Sequence, residues 1–240
     1  MTKSHLYNSK LGKVQWFISR FGAREVLLKP LRVVFAPFII SRLRKETFGF
    51  KGAELELYYH PYNMTWASER CVEIPIARYF AARFSPESTL EVGNVLSHYG
   101  AVRHDVIDKF ERAPGVVNED ITTFQPKRSY DLVLSISTFE HIGFDDESEG
   151  RSAEKILAAV RVCRGFLSDR GQMVITVPVG YNPQLDELIA SNGLQTAAET
   201  FLRKVGPQKW LEVPKSEALR CKYKEPYPYA NAIVVAEFKQ

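Results

Sequence analysis

Five short and nearly continuous apolar runs between Thr89 and Val179 limit this chain to few folds: "TLEVG", "VRHDVID", "GVVNEDI", "YDLVLSIS" and "GQMVITVPV". A strand with one solvated face alternates apolar and polar residues, whereas these runs do not, so both faces must be covered. Helical segments lie between some of them. In "SAEKILAAVRVCRGFLSDRG", Ile156, Leu157, Val160, Cys163 and Leu167 make one face and Gly171 ends the unit. In "PQLDELIASNG", Asn182 is the expected N-cap, Pro183 the first helical residue and Gly193 the C′ glycine. Before the first run come an alternating stretch, Glu54–Tyr58, a loop with Pro61 and Asn63, and a helix through Arg83. After the last, "QKWLEV" and "NAIVVAEF" have no clear crossover helix between them, so they are expected to pair antiparallel at a sheet edge. The expected fold class is α/β, a doubly wound, mostly parallel seven-stranded sheet with an antiparallel edge pair.

In an open parallel sheet the ligand lies beyond the carboxyl ends of the strands, where strand order reverses. That places the turn after "TLEV", Gly93 to His98, in the crevice. A dinucleotide-binding turn needs several glycines so that backbone amides reach a pyrophosphate. Here Val95 and Ser97 stand where later glycines belong, which disfavours a pyrophosphate and leaves room for a nucleoside without one. Asp108, just after the apolar pair Val106 and Ile107, suits the acid that holds ribose hydroxyls, because a carboxylate accepts from both hydroxyls of a cis-diol; Asp105 is the alternative.

Taken in order, "LEVGN", "VID", "NEDI", "SYDLVLSISTFEHI" and "LSDRGQMVITVPVG" resemble the successive motifs of the class I S-adenosylmethionine-dependent methyltransferases, over about 100 residues from Leu90 to Gly193. The resemblance implies a Rossmann-like domain, S-adenosyl-L-methionine as cofactor, and roles by position. Glu91 and Gly93 would line the methionine portion, with Asn94 beside them at the cofactor, Asp108 the ribose, Asp120 and Ile121 the adenine, and Ser135 to Ser137 the floor near the methyl group. Small members with an "EVGN" turn are associated with bacterial surface saccharide synthesis, which makes a saccharide or lipid-linked saccharide hydroxyl, or another small molecule, the implied acceptor.

Methyl transfer needs the two reactants held close, and a base only where the acceptor is a poor nucleophile. Glu140 and His141, after the fourth run, are the candidates. The segment with Tyr62, Asn63, Trp66 and Arg70 either lids the site or packs the head onto the body. Two other functions stay open: a non-catalytic scaffold at a membrane surface, and a nicotinamide-dependent oxidoreductase, which the glycine-poor turn disfavours.

Through Lys51 there are eleven basic residues against two acids, while the whole chain carries a net charge of +4, so a basic head precedes a mildly acidic body. Residues 1–52 are read as a basic helical extension and 53–240 as the Rossmann-like domain. Val14, Phe17, Ile18 and Phe21 have amphipathic helical spacing, and Pro30 and Pro37 are expected to break that helix. The head suits either packing on the body or an anionic membrane surface; with few Gly, Asn and Gln it does not suit nucleic acid. "VVFAPFII" is too short to span a bilayer, and no secretory signal is read, so the expected location is cytoplasmic, peripheral at the membrane. Cys71, Cys163 and Cys221 form no C-x-x-C pair, and the five histidines no metal-binding spacing, so reduced thiols and no metal are expected.

Overall fold

The computed structural model describes residues 23–144 and 152–240. The expected helix around Val14 to Phe21 lies outside the described residues. Helix α1, Ala23–Ile40, runs through both Pro30 and Pro37, correcting the expectation that they break it. Both prolines are exposed, so water can satisfy the carbonyls that lose a partner; the Pro37 carbonyl itself accepts from the Ser41 N–H at 3.0 Å.

Strands β1 (Thr47–Phe50) and β2 (Ala53–Glu56) form an antiparallel hairpin. Its turn, Lys51–Gly52, puts the 52/53 boundary inside the hairpin, and Phe48 and Phe50 of its first strand are buried with Phe80. Helix α2, Arg70–Ala81, follows. The main sheet is built from β3 (Thr89–Val92), β4 (Asp105–Ile107), β5 (Val116–Val117), β6 (Tyr130–Ile136), β7 (Leu167–Pro178), β8 (Ala198–Gly206), β9 (Lys209–Val213) and β10 (Ala232–Lys239). Helix α3 (Ala153–Gly165) precedes β7, α4 (Pro183–Ala190) follows it, and the short α5 (Lys215–Ala218) follows β9.

The strand order is β5-β4-β3-β6-β7-β10-β8-β9, with β5 through β7 all parallel. The five parallel strands are the five apolar runs. The remainder differs from expectation. The sheet has eight strands, not seven. The pair at the edge is β8 with β9, while β10 lies inside the sheet, antiparallel to both β7 and β8. The reason is the sequence of β10: Ala232, Val234, Ala236 and Phe238 face one core and Ile233 and Val235 the other, and a strand apolar on both faces is best covered between two neighbours. The same alternation splits β6, with Val133 on the side of α3 and α4, and Leu132, Leu134 and Ile136 on the side of α2 and the hairpin. Among the described residues no α-helix connects β3 to β4, β4 to β5 or β5 to β6; a 3₁₀ turn at Leu96–Tyr99 and loops make these crossings.

Helix α4 starts as read, with the Asn182 side chain accepting from the Gln184 and Leu185 amides. Its end differs by one residue: Asn192, at φ +58°, is the left-handed C′ residue, and the Gly193 N–H closes the turn on the Leu188 carbonyl at 2.7 Å.

Candidate active site

Strand order reverses between β3 and β6, so the carboxyl ends of these two strands flank the crevice, and the loops after β4, β5 and β7 border it. After β3 the chain turns at Gly93, whose φ of +89° favours glycine. A Cβ there would also lie 2.1 Å from Thr138 Oγ1, in the loop after β6, so the missing side chain lets the two loops meet across the reversal point.

Beyond Gly93 a carboxylate occupies the amides that a glycine-rich turn would offer to a ligand. Glu91 is fully buried; its Oε1 accepts from the Val95 and Leu96 amides at 3.0 and 2.8 Å, and its Oε2 pairs with His104 Nε2 at 2.7 Å. Glu91 therefore braces the loop from a fully buried position. Asp108, after β4, accepts from the Asn94 amide through Oδ2 at 2.9 Å and from the Phe110 and Glu111 amides through Oδ1 at 2.8 and 2.7 Å. A carboxylate offers about four acceptor positions, so one remains. The Asn94 side chain is buried and tied to Glu111 and Ser97.

The other candidates divide. Asp120 accepts from the Thr122 amide and hydroxyl and pairs with Lys109 at 2.8 Å; burial alone would raise its pKa, but the bonds from Lys109 and Thr122 outweigh it and hold the group at about 2. The Ile121 side chain is buried in the core beneath the loop. Ser135 gives its hydroxyl hydrogen to the Val92 carbonyl at 2.7 Å, tying β6 to β3. Ser137 stands at φ +40°, a conformation uncommon outside glycine, and donates to Glu73 Oε1 at 2.7 Å.

Glu140 is different. The residue is 2% exposed, Oε2 has no hydrogen-bond partner, and Oε1 lies 3.7 Å from His141 Nε2. Burial raises its pKa to about 7, the neighbouring His141 opposing the shift. His141 is exposed and meets the Tyr181 hydroxyl through Nδ1 at 3.2 Å.

The aromatic segment divides likewise. Tyr62 stacks on His98, ring centroids 4.3 Å apart, and His98 pairs with Glu111 at 2.9 Å, so the segment is tied to the loops after β3 and β4. Asn63, exposed at φ +47°, forms the turn itself. The Trp66 indole N–H is buried without a partner. Arg70 donates to the Ile136 carbonyl at 3.0 Å and pairs with Glu73, anchoring α2 to the end of β6. Sequence reading missed Glu73, His104, Glu111 and Thr138; only their partners elsewhere in the chain reveal them.

A cleft of about 1110 Å³ lies elsewhere, lined by Arg203, Lys204, Arg220 and Tyr227 among others. Arg203 is paired with Glu217 and the buried Lys204 Nζ with the Ala67 carbonyl, and it holds no group as poised as Glu140.

No family model matches the chain, and no curated protein matches it. Solved structures that resemble it include the N-methyltransferase NodS from Bradyrhizobium japonicum WM9 in complex with S-adenosyl-L-homocysteine, at 12% identity over 63% of this chain and 76% of that one, with a TM-score of 0.41. A SAM-dependent methyltransferase from Archaeoglobus fulgidus is 14% identical over 71% and 94%, with a TM-score of 0.42. The CcbJ methyltransferase from Streptomyces caelestis is 13% identical over 68% and 93%, with a TM-score of 0.37. Likeness at this level carries nothing further; topology and crevice bear the functional reading.

Proposed function

We propose that the chain is an S-adenosylmethionine-dependent methyltransferase whose cofactor lies in the crevice between β3 and β6. The observation that carries this reading is the charge of the crevice after its backbone donors are counted. The amides of Asn94, Val95 and Leu96, which a pyrophosphate would need, already donate to Asp108 and Glu91. What remains around the loops is acidic: Asp108, Glu111 and Asp120, with Lys109 paired to Asp120 and His98 to Glu111. Such a crevice repels a dinucleotide and suits a cationic nucleoside. The motif order in the sequence supports the same reading.

The residues fit the cofactor on two counts: Asp108 keeps acceptor capacity for a ribose hydroxyl, and Glu140 Oε2 is a buried acceptor without a donor. S-adenosylmethionine, when bound, supplies a methyl carbon on a cationic sulfonium and leaves as a neutral thioether. The chain's own residues do the rest. Tyr62 and His98 border the crevice and limit water. Glu140, titrating near neutrality, receives the proton that an acceptor hydroxyl loses, a task for which a pKa near the working pH is favourable. The acceptor class we favour is a saccharide hydroxyl, on a lipid-linked carrier.

Isothermal titration separates this reading from its rivals. Binding of S-adenosylhomocysteine with no response to NAD supports it; the reverse assigns a nicotinamide enzyme, and binding of neither assigns a scaffold.

A further inference from the structure

Helix α1 has an apolar face turned inward and a second turned to water. Ala36 is fully buried, and Ile39 and Ile40 are partly covered. Leu31, Val34, Phe35 and Phe38 follow at i, i+3, i+4 and i+7, on one side of the helix, and are 53, 71, 54 and 58% exposed. Among the described residues nothing covers this stripe. Exposing so much contiguous apolar surface is unfavourable in water and marks an interaction face.

The charges beside the stripe select the partner. Arg42 sets its guanidinium 3.3 Å from the Phe38 ring centroid and donates to the Phe38 carbonyl, so a cation is fixed at the end of the stripe. Arg32, Arg44 and Lys45 add to it, Lys45 pairing with Glu56 at 3.7 Å across an exposed gap, and the sequence to Lys51 holds only two acids. An apolar stripe edged by cations matches the interface of an anionic bilayer, where either signal alone gives marginal binding and the two together suffice. No helix among the described residues is long and apolar enough to cross a membrane.

We propose that α1 lies on an anionic bilayer with Leu31, Val34, Phe35 and Phe38 inserted at the headgroup boundary, and that this brings the crevice to a membrane-held acceptor. The second half follows from contact. Helix α1 packs against the turn Tyr62–Met64, and Tyr62 stacks on His98 of the crevice loop, so the docking helix and the rim of the crevice share a wall. Only that half rests on the methyltransferase reading; the docking surface does not.

The test is co-sedimentation of the full chain with vesicles of phosphatidylcholine alone and of phosphatidylcholine with phosphatidylglycerol in equal parts, at about 50 and about 500 mM salt, beside S-adenosylhomocysteine titration and a measurement of mass in solution. The expected result is binding to the anionic vesicles at low salt, weaker by tenfold or more on neutral vesicles or at high salt. The triple variant Val34→Ser, Phe35→Ser, Phe38→Ser should lose tenfold or more in vesicle binding with its fold and S-adenosylhomocysteine affinity intact. A wild-type chain that ignores anionic vesicles overturns the proposal, whether it is then monomeric, the stripe being covered by residues 1–22, or a dimer that the triple variant dissolves. Equal vesicle binding by wild type and triple variant also overturns it. Vesicle binding without S-adenosylhomocysteine binding leaves the docking surface standing and removes the methyltransferase reading.

Discussion

On the β3–β4 wall of the crevice, Glu91 and Asp108 together receive five backbone amide hydrogen bonds, and Glu91 and Glu111 each hold a histidine. On the β6 wall, Glu140 is as deeply buried as Glu91 and has an oxygen with no donor at all. The same side chain thus does opposite things on the two walls. Where loop glycines are missing, acids are spent on holding the backbone; where the chain is held by Arg70, Ser137 and Thr176 converging on Glu73, an acid is left over. A carboxylate whose acceptors are filled by fixed donors stabilises the fold, and one left dry costs stability that chemistry can use.

Substitutions on the two walls should therefore differ in sign. Glu91→Ala leaves two loop amides and His104 without their acceptor, and should cost about 3–5 kcal/mol in denaturant unfolding; a cost under about 1 kcal/mol would erase the contrast. Glu140→Gln should do the reverse. The folded pKa of Glu140, about 7, lies above its ordinary 4.5, so its favourable contribution is complete below about pH 4.5 and lost as pH rises through 7. The glutamine variant should match wild type near pH 5 and be more stable by up to about 3 kcal/mol near pH 9, while methyl transfer to a hydroxyl falls about 10²- to 10⁴-fold. Thermal melts across that range read the first effect and initial rates the second. Asp108→Ala removes three amide bonds and the proposed ribose contact, and should weaken S-adenosylhomocysteine binding by about 1–3 kcal/mol; unchanged affinity moves the ribose elsewhere. The smallest effect belongs to the exposed His141: its alanine variant should change unfolding by less than about 0.5 kcal/mol, and any loss in rate then reports its contact with Glu140 and Tyr181 instead of folding.

The parallel half of the fold was legible because strands buried on both faces must be written as apolar runs, as β3, β6 and β7 are, and the half-covered edge strand β5 keeps its Val116–Val117 pair. Strand β8 was not. Its "ETFLRKVG" carries Glu199 and Lys204, which are reconciled with burial by partners elsewhere in the chain: Lys215 for Glu199 and the Ala67 carbonyl for Lys204. Helix α1 was misread for a local reason, since a proline rule says nothing of which side faces water. The acids of the crevice were found by position, because the ends of parallel strands are where ligands gather. Their work was not, because Glu73 reaches its partners Ser137 and Thr176 across 64 and 103 residues, and no spacing rule spans that.

The placement of β10 also governs how the chain can assemble. Pro178 of β7 and Arg203 of β8 are held apart by the width of one strand, and only Ala232–Lys239 fills the gap, bonding to both. Until those eight residues are present, β7 and β8 each show a bare, apolar edge, and the β8–β9 hairpin belongs to no sheet. Docking of this one strand converts two aggregation-prone edges into interior pairings at once. Loss of the segment would therefore not trim the molecule but divide it, leaving the parallel half with an open side and the hairpin adrift.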